Sequence, residues 1–230
     1  TLANGEPFTQ ADIDANNVTY VHDGSETTSD SFTFIVQTNT GGYIADTTFN
    51  IGTVTPVNDA PVLDASGAMS LTTITEDNTT SNGDLVSAII ATSTANYSNA
   101  VSDGDSSPSE GMAISSVTHT NGVWQFSLDG GTNWTAFSSP SASAARLLAA
   151  DSDNRIRFVP NAENGGTPTF TFQAWDTSSG TDGGTADAST NGGATAFSTA
   201  SENVTITVSA LNDAPVLDNS GSPTLTGITA

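Results

Sequence analysis

Aspartates separated by one residue recur along this chain. Asp12 and Asp14, Asp103 and Asp105, and Asp151 and Asp153 are three such pairs. Asn58-Asp59 and Asn212-Asp213 each stand before Ala-Pro, Glu76-Asp77 closes a strand-like run, and Asp176 follows Trp175 at another strand end. Two carboxylates one residue apart in a bent loop face the same side. That geometry suits a hard cation that takes roughly six to eight oxygen ligands, which is calcium rather than zinc or copper. The chain has 25 Asp and Glu against 3 Arg and no Lys, so a divalent ion is the natural counter-charge for crowded acids. The plain alternative is that these are solvated turn residues, since Asp and Asn tolerate unusual backbone angles and bond nearby N–H groups. A surplus of surface acid that keeps the chain soluble in high salt is another.

The same composition excludes other chemistry. A net charge of −22 leaves no basic footprint for nucleic acid or for an anionic membrane surface. With no cysteine there is no disulfide framework, thiolate metal site or cysteine nucleophile. Without lysine there is no Schiff base, P-loop or Lys–Asn crosslink. No apolar run is long enough to span a membrane. His22 and His119 are the only histidines and no G-x-S-x-G occurs, so the chain is not expected to be an enzyme.

The elements that must position these acids are strands. Residues 31–37 alternate with Phe32, Phe34 and Val36 on one face, and 154–159 place Ile156 and Phe158 opposite the arginines. Residues 169–175 and 203–208 alternate in the same way. A hairpin is expected from 123–128 to 134–137 around Asp129-Gly130-Gly131. Only 141–150 reads as helical. The fold class expected is all-β, in tandem antiparallel sandwich modules.

Those modules repeat. Asn58-Asp59-Ala60-Pro61-Val62-Leu63-Asp64 recurs 154 residues later as Asn212-Asp213-Ala214-Pro215-Val216-Leu217-Asp218, and the likeness runs on through Ile228-Thr229. Upstream of each copy, Ala11-Asp12-Ile13-Asp14 answers Ala150-Asp151-Ser152-Asp153, and Phe32-Thr33-Phe34 answers Phe170-Thr171-Phe172. Three modules are expected: the C-terminal part of one over 1–57, a complete longer one over 58–211, and the linker and first strand of a third over 212–230.

The segment from Phe8-Thr9-Gln10-Ala11-Asp12-Ile13-Asp14, through Tyr20-Val21-His22-Asp23-Gly24-Ser25-Glu26 and Asp30-Ser31-Phe32-Thr33-Phe34, to Pro56-Val57-Asn58-Asp59-Ala60-Pro61 resembles a cadherin-like repeat of the chondroitin-sulfate-proteoglycan type. Such repeats recur in large bacterial surface adhesins. The middle region is similar to a longer cadherin-like repeat of those adhesins through Gly122–Ser127, Asp129-Gly130-Gly131-Thr132-Asn133-Trp134, Arg157-Phe158-Val159-Pro160 and Ala174-Trp175-Asp176.

The resemblance implies calcium held between successive sandwiches of an extracellular, surface-anchored array, with neighbouring repeats of the same chain as partners. Carried over by position, one junction would use Asp12, Asp14, Asn58, Asp59, Asp103, Asp105 and Asp176. The other would use Glu76, Asp151, Asp153, Asn212 and Asp213. Thr38 stands where an acid equivalent to Asp176 is wanted.

The function expected is that of a calcium-stiffened extender. One alternative is a calcium-dependent glycan- or peptide-binding module, with the Gly/Ser/Thr-rich stretch 178–198 as its recognition loop and Trp124, Trp134 and Trp175 as a stacking platform. Those tryptophans are more simply expected in the core. A second alternative is a filament subunit assembled by strand complementation.

Overall fold

Alternating apolar residues bury one face of a strand only if a second layer covers it, and residues 58 onward supply both layers. The computed structural model describes residues 6–91, 100–105, 109–218 and 220–221; the end of the sequence repeat, from 222 on, lies outside them. The chain divides into two compact units, Thr1–Val57 with Gly104–Ser106, and Asn58–Asp103 with Ser107–Ala230. Both are built from strands, and the fold is an all-β sandwich.

The smaller unit holds helix α1 (Gln10–Asp14) and the hairpin of β1 (Asp30–Gln37) and β2 (Tyr43–Ile51). The ladder pairs Phe32 with Phe49, whose rings stack with centroids 5.2 Å apart. Yet Phe32 is 40% and Phe49 53% exposed, and no described residue of 6–57 is fully buried.

The larger unit contains β3 (Val62–Leu63), β4 (Met69–Ser70), β5 (Ile74–Thr75), β6 (Asp84–Leu85), helix α2 (Val86–Ile90), β7 (Val101–Ser102), β8 (Gly111–Val117) and β9 (Gly122–Ser127). These are followed by β10 (Thr135–Ala136), β11 (Ala145–Ala149), β12 (Arg155–Pro160), β13 (Thr169–Trp175), β14 (Thr185–Ala186), β15 (Phe197–Thr205) and β16 (Val208–Ser209). One sheet runs β10-β9-β12-β6 and the other β14-β11-β8-β13-β15-β4. Trp124, Phe126, Ile156 and Phe158 of the first sheet meet Met112, Ile114, Leu148, Phe170, Phe172 and Val204 of the second in one core. Trp124 is fully buried between the edges of Phe158 and Phe170, at 5.2 and 5.1 Å. The glycine at 122 is required by packing: a Cβ there would lie 2.4 Å from the Phe158 ring and from the Val159 carbonyl.

A second apolar cluster lies on the outer face of the larger sheet. Ala113, Ala145, Leu147 and Trp175 are covered there by Ala188 and Ala196 of the long β13–β15 connection and by Phe197, which opens β15. Part of the 178–198 stretch thus covers this cluster, while much of it stays exposed. Arg146 donates to the Gly183 and Gly184 carbonyls, and Trp175 Nε1 donates to the Ser179 carbonyl at 2.7 Å.

Residues 145–149 are strand β11 where the sequence suggested helix. Their small and aliphatic side chains alternate between the two clusters while their backbone pairs with β8 and β14. Two-sided burial overrides the helical propensity of Ala and Leu. Helices were missed elsewhere. α1 opens with a capping box, Thr9 and Asp12 bonding each other's backbone N–H, a signal visible in Thr-x-x-Asp. The five-residue α2 has no side-chain cap and is held by burial of Val86, Ile89 and Ile90.

The β9–β10 hairpin forms as expected. Its turn is organised by Asp129, which accepts from the Asn133 backbone N–H at 2.8 Å, Asn133 Nδ2 at 2.6 Å and Ser127 Oγ at 2.8 Å. These bonds, led by that from the Asn133 backbone, hold its carboxyl below the ordinary aspartate value. A depressed folded value means the stabilisation is complete above about pH 4 and is lost as pH falls through the folded value. The melting-temperature gap between wild type and Asp129→Asn is expected to be widest near neutrality and to narrow below about pH 4. A gap that stays constant from pH 7 to pH 3 would contradict this.

Candidate metal centre

Three pieces of backbone converge at the entry end of the larger unit. The β3–β7 pairing sets Val62 opposite Ser102, so Asp103 leaves β7 beside the linker residues that precede β3. Strand β13 ends at Trp175, which packs against Gly111; a Cβ on that glycine would lie 2.8 Å from the indole ring. Asp176 follows, only 7% exposed, with its backbone N–H on the Ala196 carbonyl at 3.2 Å. Thr177 then turns the chain with φ +64°, a costly angle for a β-branched residue.

One carboxylate oxygen of Asp103 and one of Asp176 lie within 4.8 Å of each other. Asp105 follows Asp103 by two residues and is half-buried. Asp176 Oδ1 accepts from the Ser178 N–H at 2.7 Å, and Oδ2 accepts from Asn58 Nδ2 at 2.9 Å. Asn58 Nδ2 also reaches the Thr195 carbonyl at 3.2 Å and the Asp59 carbonyl at 3.1 Å. The donor set is oxygen throughout. Calcium bonds oxygen at about 2.3–2.6 Å, so two ligands facing each other across one ion lie about 5 Å apart, which the Asp103–Asp176 spacing fits.

Asp12 and Asp14 do not form the looped pair expected of them. They lie in α1, where residues two apart point about 200° away from each other around the axis. Asp12 Oδ2 is held by Thr9 N and Oγ1 at 2.8 and 2.6 Å, and Asp14 Oδ1 accepts from Gln10 Nε2 at 2.8 Å. The Thr9 bonds also hold the Asp12 carboxyl below its ordinary value.

Asp151 and Asp153 are not brought to Glu76. They precede Arg155, which begins β12 opposite Ser127, whereas β12 ends at Pro160 opposite Gly122. Asn121 reaches the Gly165 carbonyl, and Gly166 pairs with Val208 beside Glu76, whose N–H bonds the Ser209 carbonyl. The pair and the glutamate thus sit at opposite ends of β12. Asp151 Oδ1 is used locally, accepting from Asp153 N at 2.9 Å and Asn154 N at 2.7 Å.

At the exit end, Glu76 is 1% exposed. Its Oε1 takes the Leu211 N–H, and its Oε2 is buried without a hydrogen-bond partner. Asn212 Nδ2 bonds the Asp213 carbonyl at 3.3 Å, repeating the local contact of Asn58 with Asp59. Asn212 to Asp218 are nevertheless all exposed.

The arginines are committed to carbonyls and rings. Arg155 donates to the Gly83 carbonyl at 3.2 Å, while Arg157 donates to Gln125 and to the Ser81 carbonyl and lies 4.0 Å over the Trp134 ring. Arg146 stacks 5.0 Å over Phe126. Trp124 and Trp175 are buried and Trp134 is half-buried beneath Arg157, so the three do not form an open stacking platform. An open cleft of about 610 Å³ lies beside the β8 and β11 ends, lined by Glu110, Asp151, Thr177, Thr181 and Asp182 among others, and by Trp175, which is almost wholly buried. Thr195 and Gly193, which touch the linker, carry no chemical signature in the sequence. The signal available was the length of the β13–β15 connection, residues 176–196, against 38–42 between β1 and β2.

A cadherin-like family model matches residues 1–51. No characterised protein and no solved structure matched the chain. Cadherin-like domains are adhesion-related or structural and generally bind calcium, and the acidic grouping at Asp103 and Asp176 is of the kind such binding needs. No helix among the described residues is long and apolar enough to cross a membrane.

Proposed function

We propose that this chain is a calcium-stiffened extender segment of a large extracellular bacterial adhesin, with a structural rather than enzymatic role. The observation that carries the reading is the Asp103–Asp176 pair, brought together by two strand ends beside the Asn-Asp linker. Asp103, Asp105 and Asp176 supply carboxylates, and Asn58 and Asp59 supply linker oxygens. Glu76, Asn212 and Asp213 supply the corresponding oxygens at the exit end. Calcium there neutralises crowded acid and fixes a hinge, and neighbouring repeats of the same chain are the partners. Calcium near the millimolar range outside the cell fills even weak sites of this kind. The cadherin-like match over residues 1–51 supports the class.

Calorimetric titration of calcium tests the assignment. Asp103→Ala combined with Asp105→Ala is expected to weaken the entry site at least about tenfold, as loss of charged ligands should. Unchanged affinity in the double variant would refute the assignment of these residues.

A further inference from the structure

We infer that the long β13–β15 connection is a metal-independent clamp on the entry linker, and that Asn58 is the positioning residue that joins this clamp to Asp176. The inference goes beyond the calcium reading: it shares the Asn58–Asp176 contact with that reading and adds the bonds of Ala60 and Asn58 to the Gly193 and Thr195 carbonyls.

The same heptapeptide occurs at 58–64 and at 212–218. In the first copy Asn58 and Ala60 are half-buried and Pro61 and Leu63 are buried; in the second every residue is exposed. The first copy is held by contacts with the rest of the larger unit. Those contacts include β3 on β7, Leu63 in the main core and two carbonyls of the connection. Ala60 N–H donates to the Gly193 carbonyl at 2.8 Å, and Asn58 Nδ2 reaches the Thr195 carbonyl at 3.2 Å.

The connection is built to hold those carbonyls still. Gly192 and Gly193 take φ +74° and +60°, a pair of left-handed residues that turns the backbone toward the linker. Gly192 N–H bonds the Phe197 carbonyl at 2.8 Å, and Thr195 Oγ1 bonds the Gly192 carbonyl at 2.9 Å. Ala188 and Ala196 pin the segment to the outer face of the sheet, with Phe197 at the start of β15 beside them. The corresponding connection in the smaller unit is a tight turn, closed by Thr38 through its hydroxyl and the Gly42 N–H.

Asn58 makes the clamp electrostatically tolerable. Its amide N–H is the donor at 2.9 Å to Asp176 Oδ2, so this carboxylate oxygen has a protein partner whether or not a cation is near. Aspartate at 58 would keep the shape and an oxygen for calcium, but would lose the donor and set a like charge against Asp176.

Amide hydrogen exchange in EGTA and in calcium, run beside calorimetry, tests the clamp. In wild type in EGTA, the Ala60 amide is expected to exchange at least about tenfold more slowly than an unstructured chain of the same sequence. In Asn58→Asp that protection is expected to fall by about tenfold in EGTA. Ala60 exchanging at the unstructured-chain rate in wild type without calcium overturns the clamp, even should the variant fail to fold. A folded Asn58→Asp that keeps full protection in EGTA overturns the role of Asn58. Protection of wild-type Ala60 in EGTA with no calcium binding in the calorimeter supports the clamp while refuting the calcium reading.

Discussion

Transfer from millimolar calcium into EGTA is expected to lower the melting temperature of the larger unit by about 3–10 °C. A ligand that binds only the folded state stabilises it by mass action, about 1.4 kcal/mol at ten times the dissociation constant and about 2.7 kcal/mol at a hundred times. A domain of this size shifts by roughly 2–4 °C per kcal/mol. The sign is fixed by the site. Asp103 and Asp176 come together only when β7 and β13 are in place, so the unfolded chain offers the ion nothing comparable. Removing the ion also restores repulsion between the neighbouring carboxylates of Asp103 and Asp176. Scanning calorimetry at matched ionic strength reads the effect. Coincident melting curves would mean that these carboxylates do not recruit calcium in solution.

Trp124→Ala is expected to cost about 3–5 kcal/mol, a large part of the stability a domain of this kind has. The side chain is fully buried where both sheets meet, and its ring faces the edges of Phe158 and Phe170. Truncation leaves a cavity that two strands paired through Phe158 and Trp124 have little freedom to close. The indole N–H is buried without a hydrogen-bond partner, so tryptophan is kept for its volume in spite of an unmade bond. Trp124→Phe removes that orphan donor and keeps most of the packing, and is therefore expected to lose distinctly less. Urea denaturation of the two variants checks both figures. Equal losses would show that shape, and not buried area, governs the position.

The strands that bury one face on the common core were legible because period-two alternation is a local signal. Ile156 and Phe158, Phe170 and Phe172, and Val204, Ile206 and Val208 are all buried as their spacing requires. Strand β11 was not legible, since a strand buried on both faces does not alternate and its Ala and Leu residues carry helical propensity. At the site, the heptapeptide and the strand-end Asp176 were visible in the sequence, and so was the proximity of Asp103 to the linker. Assigning Asp151 and Asp153 to Glu76 failed because repeat matching gives sequence equivalence without saying at which end of a strand a loop emerges. Asp12 and Asp14 shared that loop reading, although Thr9 had already marked a helix start. The grip of Gly193 and Thr195 on the linker uses backbone carbonyls, which every residue has, so side-chain type could not announce it.

The account is tested most directly by anomalous diffraction from crystals grown in millimolar calcium. It predicts an anomalous peak about 2.3–2.6 Å from carboxylate oxygens of both Asp103 and Asp176. Crystals in which those oxygens contact only protein and water, with no anomalous density between them, would contradict it.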